Sequence, residues 1–313
     1  MCWWQFGRAT PALDAAVAMC EHVLVTPCIS NTLGFARLHP PKVFSHKLNV
    51  FPLPRAENLP LVQSRVHEFW ARTFASSMKD DVNYSPTDCF ETFPFPTVLL
   101  DSAANDPSHE ATCLSLGAIG ERYHQFRSEL MLRNNEGLTS TYNHFHDPAE
   151  TSNDLLELRR LHGEMDQAVL AAYGWCDAPT ACGFGLDYLD TEDDAQLPDV
   201  LQERINNGEL FYWDANEALD FQGQLQAYGA ITGRRKLPWR YRWPDSVRDD
   251  VLARLLALNA ERYAQEVAMG LHSKGAKQAA KAGGGGKRRG RTPNVSQAGE
   301  TEAQQVEQIG LGL

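Results

Sequence analysis

Three prolines and four aromatic rings fall within KDDVNYSPTDCFETFPFP, residues 79–96, and no other stretch restricts the fold as strongly. Pro86, Pro94 and Pro96 cannot donate a backbone hydrogen bond, which excludes a helix interior and a central strand. Tyr84, Phe90, Phe93 and Phe95 carry too much apolar surface for a solvated loop. The expectation is an ordered, irregular connection fastened by its rings to the chain on either side.

The patterning changes across this connection. Before it, HVLV (22–25), LGFARL (33–38) and KVFSHKLNVF (42–51) have the length and residue types of strands, with HPPK (39–42) as a turn. LVQSRVHEFWARTFASSM (61–78) places Val62, Val66, Phe69, Trp70 and Phe74 on one helical face, with Arg65, His67 and Arg72 elsewhere on the circumference. After it the periods are helical. AIGERYHQFRSELMLR (118–133) predicts a helix buried through Tyr123, Phe126, Leu130 and Met131. Residues 152–175 predict another, capped by Asn153 or Asp154 and stopped at Gly174. Residues 234–270 predict a basic aromatic turn and a long helix with Val247, Val251, Leu255, Leu258 and Tyr263 inside. NNEGLTSTYNHFHDP (134–148), GFG (183–185) and the acidic YLDTEDDAQLPD (188–199) read as loops, and residues 213–229 as a weaker helix.

These patterns give an α+β class in three parts: a β-rich unit with one helix over 1–110, a mainly helical unit over 111–270, and a flexible basic, Gly-rich tail over 271–313. No apolar run reaches the length of a membrane span and the N-terminus lacks a signal-peptide pattern, so a cytoplasmic protein with no membrane partner is expected. Seven scattered cysteines without a C-x-x-C pair read as reduced thiols, neither a disulfide framework nor a zinc site. The net charge of -11 argues against nonspecific coating of nucleic acid, yet leaves room for a local basic surface.

Chemistry-bearing motifs are sparse. HPPK puts His39 and Lys42 where an adenine methyltransferase loop needs Asn or Asp and an aromatic, so it is read as a turn. The GFG glycines lack G-x-G-x-x-G spacing, and His144 and His146 of NHFHD have no partners at metal-ligand spacing. No catalytic, cofactor-binding or metal residue is assigned. What remains is a set of basic and amide side chains: Asn31, Arg37, Lys42, His46, Lys47 and Asn49 near predicted turns and strand ends, Arg65, Arg72 and Lys79 along the helix, and Tyr84 beyond it. Lys and Arg suit phosphates or guanine edges and Asn suits adenine, but a solvated face accounts for the same composition.

The runs LVQSRVHEFWARTFASSMKDDVNYSPTDCFETFPFP, LMLRNNEGLTSTYNHFHDPAE, DLLELRRLHGEMDQAVLAAYGW and RRKLPWRYRWPDSVRDDVLARLLALNAERY, in this order, resemble the C-terminal part of large restriction-modification adenine methyltransferases. These are the type IIG and MmeI-like enzymes and the related BREX and DISARM methylases, and the resemblance spans about residues 1–270. It implies a target recognition domain over roughly the first 110 residues, followed by a helical segment. It also implies double-stranded DNA as partner. In the full-length family, S-adenosylmethionine serves methylation of adenine N6; its Gly-rich motif and the Asn-Pro-Pro-aromatic loop are missing here. The implied role is the DNA target-recognition portion of a bacterial phage-defence enzyme, not catalytic alone, with a separate methyltransferase polypeptide as a candidate partner. The alternative is a non-catalytic scaffold or truncated remnant, with the acidic 187–199 patch as its contact surface.

Overall fold

The computed structural model describes residues 10–78, 81–100, 107–192, 195–231 and 237–271. Met1–Arg262 form one compact unit and Tyr263–Leu313 a second. The stretch read as a basic tail lies outside the described residues from 272 onward, as does Lys79.

The first part is built on two small antiparallel sheets. A short helix α1 (Pro11–Ala18), which buries none of its residues, leads into β1 (Val23–Pro27), β2 (Ile29–Ser30), β3 (Ala36–Leu38) and β4 (Leu48–Phe51). β1 is the centre of a β3-β1-β4 sheet. The long strand expected over 42–51 is confined to its last four residues, because Ser45 turns the chain locally: its carbonyl accepts from Leu48 and its hydroxyl from Lys47. Likewise only 36–38 of the expected 33–38 strand pairs; Leu33 and Phe35 are instead tied by side chain, Gln63 donating to the Leu33 carbonyl and accepting from the Phe35 N–H.

The single helix expected over 61–78 is two helices and a strand: α2 (Asn58–Gln63), α3 (Arg65–Phe74) and β5 (Ser76–Met78), which pairs with β6 (Asp81–Asn83). The break is at Ser64, whose ψ of 158 is extended. α3 has no capping side chain of its own there; the Arg65 N–H donates to the Asp166 carboxylate at 2.9 Å, from a residue 101 positions away. A carboxylate at a helix N-terminus satisfies an orphan donor and complements the helix dipole.

The Pro- and aromatic-rich connection is ordered. Its first residues supply β6, and Pro86–Phe90 form one π-helical turn. Tyr84 and Phe90 pack into the core under β1 and β4, while Phe93 belongs to the core that includes Leu116, Val169, Trp243 and Val251. Phe95 touches both. Rings on the two sides of Pro94 thus join the sheet region to the helices.

Those helices are α4 (Pro107–Asn134), α5 (Leu138–His146) and α6 (Asn153–Ala172). The polar stretch 134–148 was expected to be a loop but contains α5: Gly137 opens it, and Thr141, Tyr142, Phe145 and His146 form one buried face. Ser152, rather than Asn153 or Asp154, caps α6 by accepting from the Leu155 N–H. Gly174 ends the helix at φ 76, where a side chain would be strained.

Residues 183–242 form a small subdomain with its own core. It contains β7 (Gly183–Leu186), α7 (Asp199–Asn206), β8 (Phe211–Tyr212), α8 (Ala215–Ala227) and β9 (Trp239–Arg242), in a β8-β7-β9 sheet. The GFG segment is therefore a strand and the basic aromatic turn is its partner. Glycine is needed at 183 because a Cβ would sit 2.4 Å from the Tyr212 carbonyl oxygen. Residues 183–231 hold eleven acids and one base, so nearly all of the chain's net charge lies here and the remainder is close to neutral. α9 (Asp245–Ala268) follows, burying Val251 and Leu255; Tyr263, expected inside, is 57% exposed.

Among the described residues no helix is long and apolar enough to cross a membrane, and the six cysteines are unpaired.

Asp166→Ala leaves the buried Arg65 guanidinium uncompensated and should cost about 3–5 kcal/mol in urea unfolding. The double replacement Arg65→Met with Asp166→Leu should recover most of that loss; equal losses in the single and double variants would show that the pair is not coupled.

Candidate nucleic-acid interface

Three buried arginines set the geometry on which any surface of this chain depends. Arg65 is 1% exposed and Asp166 0%. Besides the backbone bond, the Arg65 guanidinium donates to Asp166 Oδ2 at 2.6 Å and to the Tyr241 carbonyl at 3.1 Å, and lies over the rings of Phe145 and Tyr241. Burial pushes the Asp166 carboxyl up, but the charge of Arg65, with His162 and the Arg65 N–H, outweighs it and holds the group below its ordinary value. Arg127 on α4 donates to Gln63, to the Tyr142 hydroxyl and to the Phe35 carbonyl, tying β3's approach to α4 and α5. Arg159 on α6 collects the carbonyls of Phe145, Asp147 and Glu150 at 2.9 Å each, satisfying the C-terminus of α5 and the turn beyond it.

The residues singled out in the sequence are dispersed by this framework. Lys42, His46 and Lys47 are exposed and share the loop between β3 and β4. Arg37, on β3, is held by a two-pronged pair with Glu121 of α4 at 2.6 and 2.9 Å. Asn49 donates to the Tyr84 carbonyl and accepts a weak bond from Cys28. Arg65 and Tyr84 lie in the core, away from the surface expected for them; the Tyr84 hydroxyl meets His67 Nε2 at 2.9 Å. Their burial follows from position: Arg65 opens α3 against Asp166 of α6, and Tyr84 follows β6 into the sheet core where its hydroxyl meets His67, and such side chains are taken inside when a partner meets them. Arg72 pairs with Glu68 and donates to the Asn31 carbonyl at 3.0 Å. Asn31 thereby contributes its backbone here, and lines a 390 Å³ cavity with Asn143, Asp147, Gln222, Trp239 and Arg240.

A larger cleft of 640 Å³ opens beside Arg72. One wall is α3, β5 and β6, through Glu68, Thr73, Ser76 and Asp81; the other is β7, β9 and the start of α9, through Asp187, Arg240, Arg242 and Arg248. The sequence reading missed the three arginines of this second wall. The alternation in WRYRW (239–243), two basic residues between three rings, is a strand signal that could have exposed them. Here Arg240 and Arg242 pair with Asp187 at 3.7 and 3.4 Å, and Arg242 and Arg248 with Asp245 at 2.9 and 2.6 Å.

The two histidines of NHFHD do separate jobs. His144 lies between Glu150 at 2.7 Å and Glu136 at 3.3 Å; His146 accepts the Tyr241 N–H at Nδ1, which joins α5 to β9. Among the described residues no group of three His, Cys, Asp or Glu side chains could hold a metal ion.

Comparison with known proteins adds one family match. Residues 30–97 match the family model described as the MmeI target recognition domain, so the resemblance stated from the sequence holds over that stretch, which runs from the end of β2 into the 3₁₀ turn at Thr97–Leu99. Among solved structures, that of the type IIL restriction-modification enzyme MmeI in complex with DNA is similar at 17% identity and a TM-score of 0.39, over 64% of this chain and 22% of that one. No curated protein matches the chain.

His67, His146 and His162 are buried in this framework, and burial, reinforced for the last two by neighbouring arginines, holds all three below the ordinary histidine value, His67 at about 3. The unfolded chain takes up these protons near pH 6.5 while the folded chain does not, so stability falls as pH drops below that point. The urea midpoint at pH 5 should lie clearly below that at pH 7, with a slope of up to about 1.4 kcal/mol per pH unit for each titrating group; a flat profile between these pH values would contradict neutral burial.

Proposed function

We propose that the chain is the DNA target-recognition portion of an MmeI-type restriction-modification enzyme. The observation that carries this is the family match over residues 30–97, together with the exposure of Lys42, His46 and Lys47 on a loop inside that stretch. Two ammonium groups and an imidazole on a solvent-facing loop suit phosphate contacts that fix register on a duplex. Arg37, Asn49, Arg65, Arg72 and Tyr84 then act from behind, by anchoring the sheet and α3, and Asn31 offers the amide chemistry for adenine. Lys79 is a further phosphate contact in this proposal.

The acidic subdomain accounts for a DNA-binding chain with negative net charge. Its acids lie in a stretch of sequence separate from the exposed Lys42, His46 and Lys47, and charges further apart than the screening length of about 8 Å at physiological salt do not cancel one another. In the full proposal the chain serves an adenine-N6 methyltransferase in bacterial phage defence, in the cytoplasm. Methyl transfer with S-adenosylmethionine is performed by a catalytic domain or separate polypeptide that carries the cofactor. A second reading, a scaffold that docks other proteins, is favoured by one observation: the concentration of acids in residues 183–231, with Trp213 59% exposed among them.

Fluorescence anisotropy with a fluorescent duplex over a salt series tests the first reading. The chain should bind at low salt, and Lys42→Ala with Lys47→Ala should lower the slope of log K against log salt by about 1.8, close to 0.9 per phosphate contact. Absence of duplex affinity at low salt, with or without a methyltransferase polypeptide, would exclude it; an unchanged slope would move the contact away from this loop.

A further inference from the structure

The 640 Å³ cleft beside Arg72 is too small for a duplex about 20 Å wide and large enough for one nucleotide. We propose that it is a binding site for a single guanine base, supplied by an extrahelical nucleotide of bound DNA or by a free guanine nucleotide. The inference extends the DNA-recognition reading, since one wall of the cleft lies within residues 30–97, but it makes a separate claim about a site.

The site is built around Arg242. Its residue is 8% exposed, its guanidinium lies over the Phe211 ring with 5.7 Å from carbon to centroid, and its floor is Gly185, where a Cβ would come within 2.8 Å of three guanidinium atoms. A glycine at that point of β7 lets a planar cation lie flat against the strand. Nη1 is used, donating to the Trp243 carbonyl and to Asp245. Nε is buried and has no hydrogen-bond partner, although the Asp187 carboxylate stands 3.4 Å away as an ion pair. A buried N–H left without an acceptor is unfavourable, and a ligand acceptor would satisfy it.

The charge pattern selects the ligand. Phosphate alone fits badly, because Glu68, Asp81, Asp187, Asp245 and Asp249 all line the same cleft. A ligand that presents acceptors and donors side by side fits well. Guanine does so: O6 and N7 accept from a guanidinium, and N1–H with the N2 amino group donate to a carboxylate. Arg242 and Asp187 supply that pair of partners, and Tyr188, 40% exposed beside Asp187, supplies an aromatic face at the mouth. Adenine reverses the donor and acceptor on this edge and would set its amino group against Arg242.

Isothermal titration of the full chain with GMP, AMP, CMP and TMP tests the claim, alongside duplexes with and without one unpaired guanine. GMP should bind saturably and at least about tenfold tighter than the other three, because the site's polar groups are left unpaired by the wrong base. Asp187→Asn should abolish that preference, with circular dichroism showing that the chain stays folded even where loss of the partner of Arg240 and Arg242 lowers the thermal midpoint, and Gly185→Ala should weaken GMP by displacing Arg242. If DNA is the source, the unpaired-guanine duplex should outcompete the paired one and Asp187→Asn should remove the difference; if only GMP responds, the source is a free nucleotide. Equal binding of all four nucleotides, tighter binding of a free amino acid such as glutamate, or no binding while the paired duplex still binds would each overturn the guanine site and leave the DNA reading standing.

Discussion

The contact between Asp166 and Arg65 holds the two halves of this fold in register. One carboxylate caps α3 through the Arg65 N–H and pairs with the side chain of the same residue, while that side chain reaches on to the Tyr241 carbonyl of β9. Three elements far apart in sequence are thereby fixed at one buried point. A buried pair gives little net stability against an apolar replacement, because desolvation offsets the attraction. What it supplies is position: α3 forms one side of the cleft and β9 the other, and both are referred to Asp166. Arg127 and Arg159 repeat the device at α4 and α6, each satisfying carbonyl groups that the fold would otherwise bury unpaired.

Much of the fold could be read from local pattern. The helices α4, α6 and α9 follow from long apolar periods, and the Pro- and aromatic-rich connection from its composition, since prolines and rings act through local sterics and surface area. What escaped was decided by distant partners. The break at Ser64 depends on Asp166, α5 depends on Arg159 and Tyr241 to bury its polar face, and the glycines of β7 depend on Tyr212 and Arg242 for their meaning. Nothing within a few residues of these positions announces the partner.

The candidate site was less legible for the same reason. A list of basic and amide residues cannot separate those that meet solvent from those that meet the core, and Arg65 and Tyr84 went inside because His162, Asp166 and His67 were waiting for them. Lys42, His46 and Lys47 remained outside on a loop whose backbone Ser45 arranges. The concentration of acids in residues 183–231 shows why net charge was a poor guide: a global sum conceals one acidic stretch in an otherwise nearly neutral chain.

The central claim is sequence-selective recognition of duplex DNA, and the most direct measurement is selection from a random-sequence duplex pool by the purified full chain, followed by sequencing of the bound fraction. One short motif should be enriched, and replacing both Lys42 and Lys47 by alanine should weaken binding to duplexes with and without that motif alike. Bound duplexes with no shared motif, or binding left undiminished by the double replacement, would contradict sequence-selective recognition through this loop.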